Sequence, residues 1–142
     1  MVKLNRIIKR KKLVRKLAKK IIAKYADNIR LKIIDCDNTQ VEYPGTSFAK
    51  HNDNFTKHII GINILSLAHR VKYGYSGLGE YYQGRGDKLS FVKGNRKLAL
   101  RFVILHELGH CLFKRSKNLK TRECNADDFA INTLTQEGLL KC

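Results

Sequence analysis

Residues 97–115 read KLALRFVILHELGHCLFKR, and the rest of the chain must be built around this stretch. Leu98, Phe102, Leu105 and Leu112 fall at helical spacings, and Ala99, Val103 and Phe113 make the flanks apolar as well. A helix that is apolar on most sides is a buried helix. Inside it, His106 and His110 stand one turn apart, so both imidazoles project from one face. Glu107 lies about 100° round from His106. Polar groups left unpaired in a core are costly, and a shared metal ion supplies partners for all three. Two imidazoles at this spacing can grip one Zn²⁺, with Glu107 placed to take a proton from water on the metal. The competing reading is two satisfied core histidines and an exposed glutamate.

Zinc used for catalysis needs a third protein ligand and an open fourth position. Residues 121–136, TRECNADDFAINTLTQ, predict a second helix, capped by Thr121 and ended by Gly138. Glu123, Asp127, Ala130 and Leu134 share one face of it. Glu123 is the chosen third ligand, with Cys124, His69, His58 and Asp128 as rivals. Asp127, one turn beyond, is placed to accept the second N–H of a zinc histidine and so fix its tautomer. Without a metal, Glu123 would be a carboxylate favouring the positive end of its helix.

RFVILHELGH (101–110), ECNADDFA (123–130) and the strand-like HIIGIN (58–63) together resemble a known family. The chain looks like a zincin metallopeptidase of the gluzincin type, and is most similar to the ImmA/IrrE-type metallopeptidases. Only the two helical motifs carry specificity, although the likeness runs over residues 29–136. The family often places a second acid two positions after the first; here that position is Asn125, which favours Glu123 as the ligand. Proteases of the SprT type commonly use a third histidine, but none follows His110. Metzincins need HExxHxxGxxH and a Met-turn, yet the only methionine is Met1.

The resemblance implies an α+β fold: a minimal, zincin-like domain. In it a small, mostly antiparallel sheet packs on the HExxH helix and a second, ligand-bearing helix. It implies one Zn²⁺ per chain on His106, His110 and Glu123, with Glu107 as the catalytic base. It also implies a strand at the sheet edge that pairs with extended substrate, and a cytoplasmic protein substrate such as a repressor, often on phages or mobile elements.

The chain has 142 residues, enough for one domain with a real core. No stretch approaches the roughly 20 apolar residues that cross a bilayer, and no secretory leader is legible. Four cysteines without a CxxC spacing, and no export signal, point to reduced thiols in a cytoplasm. The net charge of +17 is unevenly spread. Residues 1–26 contain eleven Lys or Arg and no acid. Their apolar residues recur at three- and four-residue steps, which predicts a basic amphipathic helix ahead of a domain at 27–142. Packing as the domain's first helix is the preferred reading. Contact with nucleic acid or with an anionic membrane surface are the others.

Strands are predicted at 28–35, 39–43, 46–49 and 57–63, and a short helix at 64–72. Residues 73–86, YGYSGLGEYYQGRG, hold five glycines and four tyrosines. They read as a lid or substrate loop, in which Tyr75, Tyr81 and Tyr82 are candidate oxyanion donors. The expected function is therefore zinc-dependent hydrolysis of peptide bonds. The alternative is a non-catalytic, zinc-stabilised module that binds nucleic acid or an acidic partner through residues 1–26.

Overall fold

The computed structural model describes residues 2–25, 29–34, 45–50, 57–74, 88–112 and 118–141. The order of elements is α1 (Val2–Tyr25), β1 (Ile29–Ile34), β2 (Gly45–Lys50), β3 (Lys57–Asn63), α2 (Ile64–Tyr73), a 3-10 turn (Ser90–Val92), α3 (Arg96–Leu112) and α4 (Leu119–Gln136). The architecture is α+β and mostly helical.

Helix α3 is the hub. It touches α1, α2, β2, β3, the 3-10 turn and α4. That environment explains its composition, since every residue from Phe102 to Gly109 is buried. Asn95 starts the helix by accepting the backbone N–H of Leu98 at 3.1 Å. The apolar face of α1 joins the same core through Val14, Ala18, Ile21 and Ile22, packing on α3 and β1. Helix α1 thus contributes Val14, Ala18, Ile21 and Ile22 to the core rather than standing off as an arm.

The three strands run in the order β1-β3-β2. β3 is central and ends in IIGIN, in which Ile60 to Asn63 form a continuous buried run suited to a strand flanked on both sides. β1 alternates, with Arg30 and Lys32 exposed and Ile33 buried, as an edge strand does. The expected mostly antiparallel sheet is not what forms. β1 and β3 are parallel, with Leu31 opposite Ile60, while β2 is antiparallel to β3, with Ser47 opposite Ile60. The reason is topological. β3 inserts between the two strands that precede it, so β1 and β2 are not hairpin partners, and the chain returns to β3 in the direction of β1. The strand expected at 39–43 lies outside the described residues.

Helix α4 begins two residues before its predicted start. Asn118, not Thr121, is its cap, and its side chain accepts the N–H of Thr121 at 3.2 Å. Asn in extended backbone caps at least as well as Thr. The helix ends as expected at Gly138, whose φ of 74° is left-handed. The N–H groups of Gly138 and Leu139 donate back to the carbonyls of Thr135 and Leu134.

Candidate metal centre

The centre is made by two helices that cross at small residues. Gly109 on α3 faces α4, where a Cβ in its place would lie 3.3 Å from the Ala126 Cα and 3.2 Å from a ring carbon of Phe129. Ala126 and Ala130 are fully packed on the same face of α4. The helices therefore approach closely, and Glu123, one turn before Ala126 and Asp127, is carried up to the histidine pair.

The donor atoms converge. Nε2 of His106 and Nε2 of His110 are 3.1 Å apart. Glu123 places Oε2 2.9 Å from the first and Oε1 3.4 Å from the second. One ligand atom from each residue fits within 4.8 Å of the others. Two nitrogens bound to one zinc at about 2.0–2.1 Å, at a tetrahedral angle, stand about 3.3 Å apart. The spacing of the imidazoles thus suits a shared ion. Two nitrogens and one carboxylate are also the donor set of a zinc site that keeps an open position.

Asp127 holds the arrangement from behind. It is 0% exposed, and its Oδ1 lies 2.8 Å from Nδ1 of His106. As the ring is oriented, that buried nitrogen has no hydrogen-bond partner among the described residues, so its contact with Asp127 is one of distance and charge. A carboxylate there selects the tautomer with hydrogen on Nδ1 and leaves Nε2 to face Glu123 and His110. The ring of Phe102, one turn earlier on α3, packs 5.6 Å from that of His106. Glu107 is buried too, with Oε1 3.9 Å from His106 Nε2.

The electrostatics of the metal-free cluster follow from this geometry. Burial disfavours charge on His106, but Asp127, Glu123 and Glu107 outweigh it and hold its pKa up at about 9. Burial likewise opposes charge on Glu123, yet its contacts with His106 and His110 hold its pKa well below the usual carboxylate range.

The rival ligands are elsewhere. His69 is largely exposed on α2 with its ring tilted against Tyr73, and its pKa is lowered by slight desolvation and by nearby Arg70 and Lys72. Asp128 is exposed and pairs with Lys88. Cys124 is half-buried beside Glu123 but outside the cluster, and His58 sits in β3 opposite Ile29. Tyr75, Tyr81 and Tyr82 lie outside the described residues. Reading the sequence missed the part played by Gly109, because a glycine inside a helix signals only a loss of helix propensity. No family model, curated protein or solved structure matches this chain.

Proposed function

We propose that the protein is a zinc-dependent peptidase with a zincin-like fold of the ImmA/IrrE type. The observation that carries this reading is the convergence of His106, His110 and Glu123 beside a buried Glu107. A zinc ion held by the three would supply a Lewis acid and bring a water in the open position to a pKa near ~7.

The chain's own groups do the rest. Asp127 fixes the His106 ring. Glu107 accepts a proton from the attacking water as its oxygen bonds to the amide carbon. The same carboxyl then gives that proton to the departing nitrogen as the C–N bond breaks, leaving a carboxylic acid and an amine. β2 is the strand at the sheet edge that lies against α3, and it is the proposed docking strand for an extended substrate. A protein substrate inside the cell is the proposed target.

The test is metal content together with turnover of a mixed peptide library. Wild type should hold about one zinc per chain, and Glu123→Ala should lose it. Glu107→Gln should keep the metal and lose at least about a hundredfold in rate. A chain that takes up no zinc when the ion is added back would overturn the reading.

A further inference from the structure

We propose that the outward face of α1 binds the phosphate backbone of double-stranded nucleic acid, independently of the metal centre. The proposal rests on which side of this helix the fold has used. Val14, Ala18, Ile21 and Ile22 are buried against α3 and β1. The opposite side carries Lys9, Lys12, Arg15, Lys16, Lys19 and Lys20. All six are exposed. At 100° per residue they fall within a single arc of about 140°. Residues 1–26 contain no acid, and no acidic side chain pairs with any of the six among the described residues.

Like charges three and four residues apart on a helix repel, and this face has Lys9–Lys12, Lys12–Lys16, Arg15–Lys19 and Lys16–Lys20. Such a ridge is relieved by a polyanion. From Lys9 to Lys20 it runs about 16 Å, or one cation every 2.8 Å or so. That charge spacing falls between about 3.4 Å for one strand of a duplex and about 1.7 Å for both. An anionic bilayer fits less well. A helix bound at a membrane interface inserts its apolar side, and here Val14, Ala18, Ile21 and Ile22 are spent on the core, with Leu13 the one large apolar side chain of this helix exposed among the described residues. Five of the six are lysines, which neutralise phosphates as point charges and do not read base edges in the forked manner of arginine. The binding should be indifferent to sequence.

The experiment is fluorescence anisotropy of the full chain with labelled duplexes of about 20 base pairs, AT-rich and GC-rich, from about 50 to 200 mM salt. Vesicles containing phosphatidylserine serve as the competing anion. The expected result is binding to both duplexes within about threefold of each other, with a log–log salt slope approaching −5 or so. Combining Lys12→Gln, Lys16→Gln, Lys19→Gln and Lys20→Gln should weaken binding at least about tenfold and reduce the slope by about 3 to 4. These side chains are exposed, so the unfolding temperature should not fall, and zinc content reports separately on the metal centre. Lys93→Gln with Arg96→Gln and Lys97→Gln, exposed basic positions outside α1, should lose far less. The proposal is overturned by no duplex binding at the lowest salt, by an equal loss in the two sets of variants, or by vesicles that bind as tightly as duplex.

Discussion

Asp127 shows how one buried side chain governs others. With its oxygen 2.8 Å from His106 Nδ1, it would decide which ring nitrogen is left for a metal. Asp127→Asn keeps the size and removes the charge. Zinc affinity should fall about 10- to 100-fold, measured by competition with a chelator. Unchanged affinity would assign the orientation of the ring to its packing on Phe102 instead. A second outcome follows from the pKa of about 9 at His106 in the metal-free cluster. Below that pH, zinc bound at the cluster would have to displace a proton, so affinity should climb by up to about tenfold per pH unit and level off above about pH 9. Calorimetry in buffers of different ionisation enthalpy should show close to one proton released near pH 7.

At the scale of elements, the crossing of α3 and α4 sets the centre. Gly109→Ala would ordinarily strengthen a helix by about 1 kcal/mol. Here the new methyl meets the Ala126 backbone at 3.3 Å, which cannot swing aside as a flexible side chain would. We expect a net loss of about 1–2 kcal/mol on thermal unfolding and weaker zinc binding, because Glu123 rides on the displaced helix. A more stable protein that retains zinc would show that the helices have room to part. The same crossing marks the limit of what was legible in the sequence. The helices were readable because 3.6-residue periodicity and caps are local, although Asn118 outcompeted Thr121 as cap. His106 and His110 were readable because a helix alone brings i and i+4 together. The phase of a second helix put Glu123 and Asp127 on one face, but it took the family resemblance to prefer Glu123 over Cys124, His69, His58 and Asp128. The direction of β1 was not readable, since nothing in NIRLKIID records that β3 will insert beside it. Nor does Gly109 announce what will lie against it.

Across the whole molecule, the cluster ties stability to pH, and a bound metal would reverse the sense of that dependence. The pKa of His106 is raised from its ordinary 6.5, so its contribution to the metal-free fold is full below about pH 6.5 and is lost as pH rises through about 9. The pKa of Glu123 is depressed from its ordinary 4.5, so its contribution is full above that value and is lost as pH falls below it. Metal-free protein should therefore melt highest between about pH 4.5 and 6.5. Added zinc should raise the melting temperature more at pH 8 than at pH 6, because fewer protons then compete for the ligands. Thermal scans with chelator and with zinc would show the two trends diverge. A metal-free melting temperature that keeps rising from pH 6.5 to 9 would mean that the His106 ion pairs do not stabilise the fold.

The placement of His106, His110 and Glu123 on adjacent helices has a kinetic consequence. Only seventeen positions separate the first from the last. Closing so short a loop costs little chain entropy, whereas pairing β1 with β3 must wait for a longer one. A cation bound there would gather α3 and α4 into a hairpin at low entropic cost, and α3 is the surface against which α1, β2 and β3 pack. Zinc present during refolding should quicken the arrival of native protein as well as slow its loss.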